Sequence, residues 1–199
     1  MKKITLINVT MTTLSPFYTG EVREEEKRIS RVNFPVRKTS TGKVLIPFKG
    51  PIRSALEVML PGNGKQVCNT GIKGTKPCGQ CIVCSMFGSM GRKGRVSTDF
   101  LISDDDKKQI VREASHVRLD RNKGSVSDSF KGEEVIENSV FRSKIIVNEP
   151  QPDDIELIKA ALLYIEEHGL GGWTNKGYGR VKFETTVEEL DKERFIKTK

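Results

Sequence analysis

Two histidines and four cysteines are all the imidazole and thiol in this 199-residue chain. Acid–base chemistry through imidazole would have to rest on His116 or His168. No apolar run is long enough to span a bilayer, and no basic amphipathic helix stands out against a membrane surface. The N-terminus, Met1-Lys2-Lys3-Ile4-Thr5-Leu6, lacks the continuous apolar stretch of a signal peptide, so an intracellular, cytoplasmic location is expected. No Gly-Lys-Ser/Thr of the Walker type is present to hold a nucleoside triphosphate, and no internal repeat is visible. Hydrophobic residues make up only 36% and charged ones 30%, which predicts long basic loops around a modest core. What the chain has in excess is positive charge. Its 34 lysines and arginines against 26 acids give a net charge of +8, which favours a polyanionic partner.

The segment Gly169-Leu170-Gly171-Gly172-Trp173-Thr174-Asn175-Lys176-Gly177-Tyr178-Gly179-Arg180 concentrates glycine, cations and aromatic faces. Such a mixture suits a polyanion that carries bases, and equally a flexible loop between a helix and a strand. It is not a dinucleotide fingerprint, because a helix precedes it and a strand at Val181-Lys182-Phe183 follows.

Residues Lys3 to Thr12 are rich in β-branched side chains and predict a first strand. The charged stretch Gly20 to Arg28 reads as a solvated loop. Pro47 to Leu60 predicts a helix opened by Gly50 and Pro51, with Ile52, Leu56, Met59 and Leu60 on one face and Lys49 and Arg53 near its start. Residues 62–94 hold few aliphatics and all four cysteines, and read as an inserted module. Arg95 to Ser103 alternates, placing Val96, Phe100 and Ile102 on one side of a strand. Residues 104–137 form a polar excursion that suits a β-hairpin. Phe141, Ile145 and Val147 share a face of the next strand. Asp153 to His168 predicts a helix with an Asp153/Glu156 capping box, a stripe of Ile155, Ile158, Leu162 and Ile165, and a stop at Gly169. Val181 and Phe183 anchor a last strand before a charged tail. The order is that of an α+β, ferredoxin-like split βαβ unit with insertions, in one domain over residues 1–199.

The cysteines follow the spacing Cys68-x9-Cys78-x2-Cys81-x2-Cys84. Four soft ligands that can converge favour a tetrahedral, structural zinc. Disulfides fit the cytosol-like context poorly, while an iron–sulfur cluster is equally compatible with the ligand count. The adjacent run Arg92-Lys93-Gly94-Arg95 suggests that the module stiffens a phosphate-contacting loop, with Lys65, Lys73 and Lys76 as further candidates.

Several segments together resemble the RAMP superfamily, specifically the backbone subunit of multi-subunit CRISPR RNA-guided effector complexes, closest in motifs to type III. Val44-Leu45-Ile46-Pro47-Phe48-Lys49-Gly50-Pro51-Ile52-Arg53-Ser54 is similar to the family's helix entrance. Cys78-Gly79-Gln80-Cys81-Ile82-Val83-Cys84-Ser85-Met86-Phe87-Gly88 resembles its cysteine segment ending in Phe-Gly. Arg95 to Asp99, Val117 to Gly124 and Gly171 to Gly179 resemble the strands and glycine-rich loop that follow, in the same order over most of residues 3 to 184. The resemblance implies an RRM-like palm, a thumb-like hairpin within residues 104–137, and copies stacked in a filament along a guide RNA. It also implies other effector subunits as partners and a complementary target RNA or DNA. It places Lys49 and Arg53 on guide phosphates, aided by Gly171, Gly172, Asn175, Lys176 and Gly177. Arg92 and Lys93 border the cysteine module, Arg118 and Arg121 lie in or beside the thumb, and Phe130 is its candidate wedge.

RNA-cleaving members carry an aspartate before a Pro-Val strand. Here the stretch reads Ser30-Arg31-Val32-Asn33-Phe34-Pro35-Val36, so Asn33 stands at that position. An amide neither accepts a proton as a base nor holds a metal as an anion does, so no catalytic residue is assigned. Glu21, Glu24, Glu25 and Glu26 are the fallback acids for a cleaving subunit. A guide-processing endoribonuclease of the same superfamily usually relies on histidine. Here His168 ends a helix, where a cation complements the dipole, and His116 lies in a polar stretch. A free-standing zinc-ribbon nucleic-acid-binding protein would account for charge and cysteines, but not for the ordered motifs elsewhere.

Overall fold

The computed structural model describes residues 3–19, 35–104, 110–120 and 122–191. Asn33, Arg121 and the glutamates at 21 to 26 lie outside these residues. Strand β1 (Lys3–Thr13) lies inside the main sheet, and its period-two pattern sends Ile7, Val9 and Met11 into the core. On one side it pairs antiparallel with β7 (Val140–Asn148), on the other with β8 (Val181–Asp191). Beyond β7 come β3 (Val96–Thr98) and β4 (Leu101–Ser103), and β2 (Leu45–Ile46) pairs with β4. The order is β2-β4-β7-β1-β8, antiparallel throughout.

Helices α1 (Lys49–Gly62) and α3 (Asp154–His168) pack on each other and close the core. Each brings an apolar stripe, Ile52, Leu56 and Leu60 from α1 and Ile158, Leu162 and Ile165 from α3. Burying each such side chain contributes roughly 1.5–3 kcal/mol. The short α2 (Ile82–Phe87) joins the same cluster through Val83, Met86 and Phe87. No helix among the described residues is long and apolar enough to cross a membrane.

Two expectations are corrected here. The stretch Arg95 to Ser103 is two strands rather than one, and Leu101 rather than Phe100 or Ile102 faces the core. Thr98 opposes Ile145 and Ile102 opposes Arg142 on the same β7 strand, so the β3–β4 side carries one residue more. That bulge reverses the alternation, and the Ser143 hydroxyl holds it by donating to the Asp99 carbonyl at 3.0 Å. The capping box also does not form, since Asp153 makes no side-chain cap. Its neighbour Asp154 is fully buried instead, accepting from the Gln151 amide at 2.9 Å and from both Nε (2.5 Å) and Nη2 (2.6 Å) of Arg95. Arg95 also donates to the Ser85 hydroxyl, so one guanidinium ties β3, α2 and α3 together.

A separate two-stranded hairpin, β5 (Val111–Asp120) and β6 (Ser125–Val135), rises from this body. Asp120 Oδ1 accepts the amides of Asn122 and Lys123 at its turn. Its base is welded in by Phe17 and Val135, which exchange two backbone hydrogen bonds of 2.8 Å. Farther out, Val117 and Val126 are 61% and 57% exposed.

Candidate nucleic-acid interface and metal site

The four cysteine sulfurs lie within 4.8 Å of one another. Cys68 and Cys84 are 3.8 Å apart, and Cys81 and Cys68 3.9 Å. A tetrahedral ion with metal–sulfur bonds of about 2.3 Å needs sulfur–sulfur edges of roughly 3.8 Å, so the donor set fits a metal ion. Backbone amides point at the sulfurs: Cys78 donates to Cys68 at 3.0 Å, Cys81 to Cys78 at 3.3 Å, and Cys84 to Cys81 at 3.4 Å. Thiols this close cannot all ionise without a counter-cation. The Cys81 and Gln80 amides bring Cys78 down to about 6. The Cys78 amide also pulls on Cys68, but the neighbouring thiols and burial outweigh it and push Cys68 up to about 12.

This cluster is bolted to α1. The Arg53 Nε pairs with Glu57 at 2.8 Å, its Nη1 reaches the Gly88 carbonyl at 3.0 Å, and its Nη2 lies 3.7 Å from Cys84 Sγ. Glu57 is buried and also accepts the amide (2.8 Å) and hydroxyl of Thr70, two residues from Cys68. Burial alone would lower the Arg53 pKa, and the Glu57 partner more than reverses it. The resemblance puts Arg53 on phosphate. The structure shows its charge already matched by Glu57 and its donors shared with the cysteine module.

Lys49, Arg53, Arg92 and Lys93 nevertheless line one open groove of about 540 Å³. Lys49, Arg92 and Lys93 are exposed, and Arg92 is braced by a 2.9 Å bond from Nη1 to the Gly79 carbonyl. Lys49 begins α1, whose first turn holds no acid, so the helix end adds to the positive field.

The glycine-rich loop is not the open cradle that its composition suggests. A side chain at Gly171 would meet the Tyr18 carbonyl at 2.5 Å, and one at Gly179 would meet the Leu170 carbonyl at 1.9 Å. The close approach is therefore to this chain's own backbone. Amides of Gly172, Lys176 and Gly177 donate to Tyr18, Trp173 and Thr174 carbonyls. The Trp173 ring stacks on Tyr18 at 4.2 Å, Lys176 Nζ sits 5.2 Å from its centroid, and His116 of the hairpin meets its edge at 4.3 Å. Trp173 and Tyr178 thus join hairpin to body, where the sequence offered them as faces for bases. Gly171, Asn175, Lys176 and Gly177 are exposed, and Gly172 is half-buried.

Arg118 opposes Asp128 and Phe130 opposes His116 in the hairpin register, which places both positions on the ribbon. The sequence reading missed Glu57, Tyr18, Met90 and the Arg95–Asp154 pair. Only Glu57 left a local signal, because it follows Arg53 by four residues on a helix. Arg95 and Asp154 are 59 positions apart, and nothing local announces their pairing.

The RAMP superfamily model matches residues 10–182 of this chain. A curated relative, the CRISPR system Cms endoribonuclease Csm3 of Methanocaldococcus jannaschii, is 30% identical over 180 residues, covering 80% of this chain and 71% of that protein. The protein of the same name from Methanothermobacter thermautotrophicus is 27% identical over 164 residues, covering 68% of this chain and 64% of that one. Among solved structures, a chain of the type III-B Cmr-beta assembly bound to cognate target RNA matches with a TM-score of 0.66 at 16% identity. That match covers 95% of this chain and 61% of the other, so this chain spans less than two thirds of the solved relative and of the second curated one.

Proposed function

The chain belongs to the RAMP superfamily, and on that premise we propose that it is a guide-RNA-binding backbone subunit of a type III CRISPR effector complex. The groove that gathers Lys49, Arg53, Arg92 and Lys93 carries this reading. Phosphate contacts of that kind give affinity without reading sequence, which leaves target choice to base pairing by the guide. Lys49 and Lys93 take phosphates in this reading, Arg53 holds the groove wall in place, and Lys176 extends the positive track. The strand order β2-β4-β7-β1-β8 with α1 and α3 packed together on its core supports a ferredoxin-like, RRM-like palm, and the β5–β6 hairpin supports the thumb. Residues 62–94 act as the inserted module, where Cys68, Cys78, Cys81 and Cys84 hold a structural zinc. A bound zinc there would fix the loop covalently without an open coordination position for chemistry. Copies of the chain and other effector subunits line up along one cytoplasmic guide.

A complementary RNA is the favoured target, because the solved relative is described with cognate target RNA. Asn33 supports a non-cleaving subunit. The name endoribonuclease on both curated relatives favours the second reading, a subunit that cuts its target. The test is equilibrium binding of the purified chain to single-stranded RNA across a salt series. Binding that falls steeply with salt, and drops when Lys49 and Lys93 are both changed to alanine, supports the assignment. Affinity indifferent to salt and to both substitutions rejects it.

A further inference from the structure

Met90 is the most exposed large apolar side chain among the described residues, at 92%. It caps a turn in which Ser89 and Arg92 exchange two backbone hydrogen bonds of 3.0 Å. The stem of that turn is locked. A side chain on Gly94 would lie 2.4 Å from the Gly88 amide and the Met86 carbonyl, so the two strands of the stem touch backbone to backbone. With Arg92 fixed to Gly79 as well, Met90 is held out by a stiff support. The backbone of the turn needs no further ordering for a contact there, which leaves only the Met90 rotamers to be fixed.

The turn forms one wall of the groove described above, whose remaining surface mixes Pro77 with Lys49 and Lys93 over a floor of the core residue Phe87. Phe87 belongs to the core, but Met90 and Pro77 add apolar surface that phosphate contacts alone do not use. At about 540 Å³ it falls in the size range of small-molecule sites. From this geometry we infer that the groove is a subsite for one unstacked nucleotide of single-stranded RNA. The base packs against Met90, and Lys49 and Lys93 take the flanking phosphates. A thioether on a flexible stem accepts any base, as a protein that must carry guides of any sequence requires. Apolar wedges beside cations are a recurrent way to hold a base out of its stack. The inference rests on the RNA-binding reading and adds the base contact to it.

The experiment compares the full chain with its Met90→Ala variant, against a single-stranded oligoribonucleotide and the same backbone made abasic. Met90 is outside the core, so the variant keeps its fold. The expected result is a loss of roughly three- to tenfold on the base-bearing strand, no loss on the abasic strand, and an unchanged salt slope. Equal loss on both strands, or none on either, overturns the subsite. So does loss of binding to phosphatidylserine vesicles with RNA affinity intact, since the tip would then be a membrane contact. If Lys49→Ala with Lys93→Ala leaves RNA binding untouched, the RNA reading itself has failed. If that pair abolishes binding while Met90→Ala does nothing, only the subsite has failed.

Discussion

Replacing Glu57 with alanine should unfasten the cysteine loop from α1 while leaving the basic groove residues in place. The Glu57 carboxylate is buried and takes the Arg53 guanidinium at 2.8 Å and the Thr70 amide at 2.8 Å. Breaking a buried pair by removing one partner costs about 3–5 kcal/mol. The Arg53 side chain is 17% exposed, so water recovers part of its solvation and the lower end of that range applies. A loss of about 3 kcal/mol shifts a urea midpoint by about 1–1.5 M for a slope near 2–3 kcal/mol/M. Because Thr70 is two residues from Cys68 and Arg53 touches Cys84, metal affinity should fall about 10- to 100-fold, the usual effect of losing a partner behind the ligands. Urea unfolding and competition with a chromophoric chelator measure the two effects, with Lys49→Ala as the control that changes neither. A Glu57→Ala protein within 1 kcal/mol of the parent and with unchanged metal affinity would refute the claim that this carboxylate is the bolt.

Cys81→Ser should release the metal and expose the 62–94 loop to protease while the sheet, with its own core, keeps its unfolding transition. Elemental analysis and limited proteolysis check this, and no metal in the parent chain defeats it. Tyr18 is pushed by burial up to about 12 against about 10 in an unfolded chain. Its contribution to stability is complete below pH 10 and is lost as pH rises toward 12, which tyrosinate absorbance and unfolding over that window report; a phenol titrating near pH 10 in the folded protein contradicts it. With a guide and magnesium, the parent chain should bind complementary RNA and leave it intact, because Asn33 supplies no carboxylate. Regular cuts in the target would instead shift attention to the glutamates at 21 to 26.

What the sequence disclosed and what it hid divides along physical lines. Strand β1 and helices α1 and α3 were legible because each buries one face with a period set by its own backbone. The cysteines were legible because their ligand chemistry survives any fold. The phase of β4 was not, because the bulge that reverses it exists only in register with β7. The capping box at Asp153 failed for a similar reason, since Asp154 spends its carboxylate on Arg95 across the fold. The resemblance puts Arg53 on phosphate, and the ion pair it makes with the acid one turn later was legible only as an i, i+4 spacing. The glycine-rich run around Trp173 suits a ligand and a plain loop equally in sequence, and only the fold shows Gly171 and Gly172 pressed against Tyr18 and Gly179 against Leu170.

The β5–β6 ribbon is attached at one end. Ten residues of strand extend about 33 Å, so a tilt of about 5° at the root carries the tip through about 3 Å. Tyr18 and Trp173 brace that angle through His116, midway along β5, where a change of ring size alters the lean of the arm. Substitutions in this small stack therefore act as gearing. They displace whatever the far turn touches by nearly a nucleotide's width, without altering a residue of the turn itself.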